Sequence, residues 1–244
     1  MNMNMETCNI LGVNIAVTNM AETVKYIKKN LESLKGNYIC VSNVHTTVMA
    51  YEDKEYRKIQ NGGALALPDG GPLSVVSRKK GFTYAERVTG PDLMGELFKI
   101  SEEEGYTHYF YGSTEDTLKK LNIKLKEKYP KINIVGMYSP PFKESVTLES
   151  HEILNNINAD FLWVGLGAPK QEVWMNYHKE KVESLMIGVG AGFDYFAENL
   201  ERAPKWMQKY SLEWLYRLFQ DPKRLFKRYM VTNFKFIWLI ARRR

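Results

Sequence analysis

The stretch "ADFLWVGLGAPKQEVWMNYHK", Ala159 to Lys179, decides the fold. Phe161 to Val164 is a continuous apolar run, as expected of a strand buried on both faces. Gly165 and Gly167 make a tight turn. A helix is expected from Pro169 to Lys179, because proline suits the first helical turn. Similar units recur along the chain. Expected strands are Asn9–Ala16, Tyr38–Ser42, Ala64–Leu67, His108–Tyr111, Ile132–Val135 and Leu185–Val189. Expected helices run from an Asn19 cap to Leu34, from Pro91 to Glu103 and from a Ser113/Asp116 capping box to Lys128, with another over Val146–Ile157. Strands alternating with helices predict an α/β fold: a Rossmann-like, mostly parallel sheet with helices on both faces.

The strand signal stops near Ala197. Ser211–Gln220 reads as a helix. Asp221 then caps a last helix with Pro222 in its first turn, running toward Ile240. The chain therefore divides into an α/β body, residues 1–197, and a basic helical appendage, residues 198–244, joined near Glu198–Pro204. Charge supports the division. Residues 1–201 carry 22 Lys/Arg and 26 Asp/Glu, and residues 202–244 carry 12 Lys/Arg against Glu213 and Asp221 alone. A block of net charge 12 − 2 = +10 seeks an anionic partner.

The 244 residues are 44% hydrophobic and 25% charged, enough apolar content for a real core. The opening "MNMNMETCNILGV" lacks the pattern of a secretory leader, and no apolar run reaches the roughly 18 residues of a membrane span. Cys8 and Cys40 are far apart and are expected to be reduced and buried. These features predict a cytoplasmic protein.

In open parallel sheets, ligands bind beyond the carboxyl ends of the strands. Those ends carry Asn43 in "VSNVHT", Asp69 in "LPDGGP", Gly165–Gly167 in "WVGLGAPKQE" and the glycines of "IGVGAGFD". A further loop, "ERVTGPDL", offers Arg87 and Thr89. The "VGLGAPKQE" turn can approach an anion closely, with the helix start at Pro169 and Lys170 adding positive charge. Equally, its glycines can serve only a tight turn. A dinucleotide fingerprint fails because Lys170 stands where the third glycine belongs, and no phosphate-binding G-x-x-x-x-G-K-[ST] loop is present. Asp69 is either a turn former or a general base held on a strand tip. His45, His108, His151 and His178 are scattered and no D-x-D occurs, so no metal site and no cofactor are expected.

The tail crowds aromatics with arginines. Arg224 and Arg228 are four apart and share a helix face, with Arg217 on the preceding helix. Arginine's planar fork suits phosphate oxygens. Aromatics beside Lys and Arg suit a segment lying in a membrane interface, and an amphipathic pair packed on the body is the plainer reading of part of it.

Five stretches together resemble the bacterial WecG/TagA/CpsF glycosyltransferases, and its teichoic-acid branch most of all. They are "LPDGGPLSVVSRKKG", "ERVTGPDLM", "VGLGAPKQEVWM", "GVGAGFDYFAEN" and "RAPKWMQKYSLEWLYRLFQDPKRLFKRY". The resemblance implies inverting transfer from a UDP-sugar to a polyprenyl-diphosphate-linked acceptor. In that branch N-acetylmannosamine passes to undecaprenyl-diphosphate-N-acetylglucosamine. It implies Asp69 as the catalytic residue, with Asn43, Arg87 and Gln171 in the pocket and Arg217, Arg224 and Arg228 supplied by the tail. Thr89, Gly167 and Lys170 join them as candidate substrate contacts. The family often reads Thr-x-Asn-Ala-Glu at the second strand end. Here the stretch is Val41-Ser42-Asn43-Val44-His45, which keeps only the asparagine.

The expected partners are then a UDP-sugar, a lipid-linked acceptor and the anionic inner face of the cell membrane, and a body cut short of its tail would expose apolar surface that favours a homo-oligomer. Two other readings remain: a related donor sugar such as glucose or N-acetylmannosaminuronic acid, and a non-catalytic nucleotide- or RNA-binding protein with a basic arm.

Overall fold

A computed structural model describes residues 5–141 and 157–242, apart from the side chains of Lys209 and Arg224. Strands β1 (Thr7–Ile10) and β2 (Val13–Ala16) form a separate antiparallel hairpin. Strands β3 (Tyr38–Ser42), β4 (Leu65–Pro68), β5 (Thr107–Gly112), β6 (Asn133–Tyr138), β7 (Phe161–Gly165) and β8 (Leu185–Gly188) form one sheet. Its order is β4-β3-β8-β7-β5-β6, and every neighbouring pair is parallel.

Side-chain alternation along these strands builds two cores. Tyr38 and Cys40 of β3, Leu162 and Val164 of β7 and Met186 of β8 point to one face. There they meet the hairpin and helices α2 (Val44–Glu52), α3 (Lys54–Gly62), α4 (Gly71–Lys79) and α7 (Lys170–His178). Ile39 and Val41, Phe161 and Trp163, and Leu185 and Ile187 point to the other. That face is covered by α1 (Met20–Leu34), α5 (Gly90–Glu104), α6 (Glu115–Lys128) and α8 (Gly192–Phe196). The α/β class with helices on both faces is as expected. Cys8 and Cys40 are buried and free.

The chain ends in α9 (Lys205–Lys209), α10 (Glu213–Gln220) and α11 (Pro222–Arg242). Helix α11 lies on α2, and its Phe236 and Leu239 enter the first core. Burying each such side chain contributes roughly 1.5–3 kcal/mol. Lys235 on α11 pairs with Glu52 on α2.

Several boundaries correct the sequence reading. Asn9–Ala16 is two strands, because Leu11 and Gly12 both take positive φ, 52° and 96°, and reverse the chain. This is the geometry of a two-residue hairpin turn, and Asn9 Oδ1 accepts from the Gly12 N–H at 3.1 Å. The cap of α6 is Thr114, whose hydroxyl accepts from the Thr117 N–H, while Ser113 sits before it with φ of 61°. Helix α5 starts at Gly90 under a Thr89 cap, one residue before Pro91. Helices α2, α3 and α4 were not located individually from the sequence. The helix expected over Val146–Ile157 lies outside the described residues.

Candidate active site

Register brings the two central residues together. Ser42 pairs with Pro68 across β3 and β4, so the next residues, Asn43 and Asp69, leave neighbouring strand ends side by side. The Asp69 N–H donates to Ser42 O at 2.7 Å, which fixes the acid's backbone. Asn43 caps α2. Its Oδ1 accepts from the N–H groups of His45 and Thr46 at 3.0 and 3.2 Å. With the amide oxygen committed to the cap, the amide N–H group of Asn43 is the donor that reaches the Asp69 carboxyl.

Gly70 follows with φ of 89°, a conformation that favours glycine. A Cβ on Gly71 would land on the side chain of Ser211, between α9 and α10. The C-terminal helices are therefore seated directly on the turn that carries Asp69.

Electrostatics make Asp69 an unusual acid. Burial and the carboxylate of Glu213 push its pKa up to about 6, against the pull of Arg217, Arg87 and the Asn43 hydrogen bond. A carboxyl in that range is a stronger proton acceptor than an ordinary aspartate and is still ionised at neutral pH.

Arg87 is drawn toward the C-terminal helices. It donates from Nη1 to Glu213 Oε2 at 3.1 Å and from Nη2 to Gln208 Oε1 at 3.2 Å. Arg202 joins the same cluster through Asp92 Oδ1 and Glu213 Oε1, each at 3.0 Å. Arg217 is close enough to act on Asp69, and its guanidinium stands 5.8 Å from the Tyr195 ring. Arg228 of α11 lies near His45, whose pKa falls to about 4 through burial first and the Arg228 charge second. His45 is therefore neutral at physiological pH. The Arg224 side chain lies outside the described residues.

The other candidates serve the frame. Thr89 is buried, and its hydroxyl caps α5 and donates to Asp92 Oδ2 at 2.6 Å. Gly167 holds φ of 76°, and its carbonyl accepts from the Gln171 N–H at 3.0 Å. Lys170 opens α7. Gln171 is buried and works as a strut, accepting from the Gly190 N–H at 3.0 Å and donating to Glu172 at 2.9 Å. It ties the turn after β7 to the turn after β8. The structure thus gathers Asn43, Asp69, Arg87 and Arg217, and brings Arg228 to the neighbouring α2 start. It places Thr89 and Gln171 in supporting hydrogen bonds. Among the described residues, no three His, Cys, Asp or Glu side chains cluster to hold a metal ion.

Sequence reasoning passed over Glu213, Arg202, Gln208 and Ser211. One signal was available. Glu213 stands among twelve basic residues in the tail, four residues before Arg217, so both project from one face of α10.

The model of the glycosyl transferase WecG/TagA/CpsF family matches residues 8–244. The chain belongs to that family. Among curated members, it is similar to the N-acetylglucosaminyldiphosphoundecaprenol N-acetyl-beta-D-mannosaminyltransferase of Bacillus subtilis (strain 168). The two are 31% identical over 222 residues, 90% of this chain and 86% of the relative. A protein of the same name from Staphylococcus aureus (strain MW2) is 29% identical over 223 residues, 89% of this chain and 86% of the relative. As a WecG/TagA/CpsF glycosyl transferase, the chain places its Asp69 and Arg87 turns at the carboxyl ends of a parallel sheet, where such sheets bind ligands.

Proposed function

We propose that this chain transfers N-acetylmannosamine from a UDP-linked donor to undecaprenyl-diphosphate-linked N-acetylglucosamine, forming a β-1,4 bond for the wall teichoic acid linkage unit. The observation that carries the reading is the likeness, over about nine-tenths of the chain, to the Bacillus subtilis enzyme bearing that name. The site geometry supports it.

In this reading Asp69 takes the proton from the acceptor hydroxyl. The freed oxygen attacks the anomeric carbon from the side opposite the nucleotide. The bond to the diphosphate breaks, and UDP departs with the electron pair, inverting the anomeric centre. Positive charge near Asp69 favours that departure. Arg217 and Arg87 act on Asp69 itself, and Arg228 of α11 lies beside His45 at the neighbouring α2 start. Donors of this kind are in place before the transition state forms and stabilise its developing charge without reorganising.

The lipid acceptor requires a membrane, and we assign that contact to residues 198–244 acting as an appendage. No helix among the described residues is long and apolar enough to cross a bilayer. Helix α11 instead turns a second apolar face outward. Phe226, Phe234, Ile237 and Trp238 are 57%, 65%, 64% and 55% exposed, opposite the buried Leu225, Tyr229, Phe236 and Leu239. Lys223, Lys227 and Arg242 border or punctuate that face. Apolar anchors among basic residues fit the interface of an anionic leaflet, where each basic group adds about 1 kcal/mol. The inner face of the cell membrane is the matching location.

The test is the product. The chain is supplied with a short-chain diphosphate-linked N-acetylglucosamine lipid and, separately, the UDP derivatives of N-acetylmannosamine, N-acetylmannosaminuronic acid and glucose. A disaccharide lipid with a β-linked N-acetylmannosamine is expected. Transfer of another sugar in preference would reassign the donor. Absence of transfer from all three, together with tight RNA binding, would favour the non-catalytic reading.

A further inference from the structure

Glu213 joins helix α10 to two guanidinium groups beside the site. Its Oε2 lies 3.1 Å from Arg87 Nη1, and its Oε1 lies 3.0 Å from Arg202 Nε. Only 18% of its side chain is exposed. Gln208 Oε1 receives both guanidinium groups, at 3.2 Å from Arg87 and 3.4 Å from Arg202. Asp92 holds Arg202 from the other side. A carboxylate hydrogen-bonded to one guanidinium group and ion-paired with a second has little freedom to turn. It is also the first residue of α10, so the same contacts fix the angle at which that helix, with Arg217 one turn on, meets the body.

We propose that Glu213 is a positioning residue for Asp69: a carboxylate carried by α10 that clasps Arg87 and Arg202 and stands against the general base. The proposal rests on the reading of Asp69 as that base. The groups that face Asp69 are Glu213 and Arg217 from α10, Arg87 from the loop before α5, Asn43 from the start of α2 and Tyr195 from α8. Glu213 is the anion among them. Its field opposes ionisation of Asp69, whereas Arg217, Arg87 and Asn43 favour it. Burial raises the proton affinity of Asp69 most, and Glu213 adds to it against Arg217 on the same helix, which leaves the carboxyl near the working pH, where a general base is most effective. Without α10 the base would lack both this field and the Arg217 charge.

The experiment uses Glu213→Gln in the full chain. The Asp69 side-chain carboxyl is titrated by carbon NMR without substrate, and the pH–rate profile of sugar transfer is recorded alongside. The Asp69 midpoint should fall by about half a unit or more once the like charge is gone. The acidic limb should move with it, and the plateau should drop severalfold. Glu213→Asp, which keeps the charge, should return the midpoint toward the wild-type value. A residue needed only for packing would lower the plateau and leave the midpoint in place. An unmoved midpoint in folded Glu213→Gln overturns the proposal. If that variant does not fold, Arg202→Gln replaces it. Losing one of Glu213's two counter-charges strengthens its field, so the midpoint must rise, and an unmoved or lowered midpoint overturns the proposal. Failure of the underlying reading looks different: Asp69→Asn would retain turnover, whatever the NMR midpoint does.

Discussion

Ser211 sits so closely on Gly71 that no side chain fits between them. Gly71 opens α4 two residues after Asp69, and Ser211 precedes α10, so their contact joins the acid's turn to the helices that bring Arg217 and Glu213. Gly71→Ala should therefore act at a distance from its own chemistry. Ordinary helix preference favours alanine by about 1 kcal/mol, yet the added methyl must displace Ser211. The expected result is a folded body whose residues 205–220 exchange amide hydrogens faster and whose turnover falls at least tenfold, on the order expected from a roughly 1 Å misplacement of catalytic groups. Normal exchange and normal turnover would show that the contact relaxes without consequence.

Asp69→Asn should trade activity for stability. Loss of a general base lowers turnover by roughly 10²–10⁴. The stability effect follows from linkage. The folded protein binds the Asp69 proton more tightly than the unfolded chain, raising the pKa from 3.8 to about 6. The group's stabilising contribution is thus complete below about pH 4 and is lost as pH rises through about 6. Asparagine carries no such penalty. At pH 7.5 the variant should be more stable by roughly 1–3 kcal/mol, with the gain vanishing near pH 4. Denaturant unfolding at the two pH values measures it, and equal stability differences at both would contradict the raised proton affinity.

How much of this could be read from the chain depends on sequence separation. The core strands β3, β7 and β8 were legible because burial on both faces writes continuous apolar runs such as Phe161–Val164. Asp69 and Asn43 were legible because each ends a strand, and parallel pairing of consecutive strands sets such ends together. The hairpin was missed because Leu11 adopts positive φ, a state its residue type does not advertise. The cap of α5 was missed by one residue because Thr89 looked like a ligand contact, although Asp92 three residues on completes a capping pattern. Glu213 could not be paired with Arg87 in advance, since 126 residues separate them and only the docking of α10 brings them together.

Turnover should not depend on a divalent metal. The positive charges that act on Asp69 are the guanidinium groups of Arg217 and Arg87, and no D-x-D is present in the sequence. Guanidinium forks can neutralise phosphate oxygens directly. Activity measured after EDTA treatment and gel filtration should match that of untreated protein. A loss restored by Mg²⁺ or Mn²⁺ would place a metal at the diphosphate.

The outward face of α11 and its inward face should separate by mutation. The inward residues Phe236 and Leu239 belong to the core, so deleting everything after Glu198 would strip α2 of its cover as well as removing Arg217 and Arg228. Point changes avoid that confusion. Phe234→Glu with Trp238→Glu places two acids on the exposed face, where neither side chain contributes to the packed core. The double variant should keep its unfolding midpoint and its turnover with a short-chain, water-soluble acceptor. It should lose sedimentation with anionic vesicles and most turnover on a full-length lipid acceptor held in them. Arg228→Ala should show the opposite pattern, retaining vesicle binding because eleven of the twelve basic residues of 202–244 remain, while losing turnover on both acceptors. Vesicle binding that survives both acids would move the membrane contact to another surface. Loss of a concentration-dependent dimer in the double variant, with vesicle binding intact, would identify the exposed face as a contact between copies of the chain.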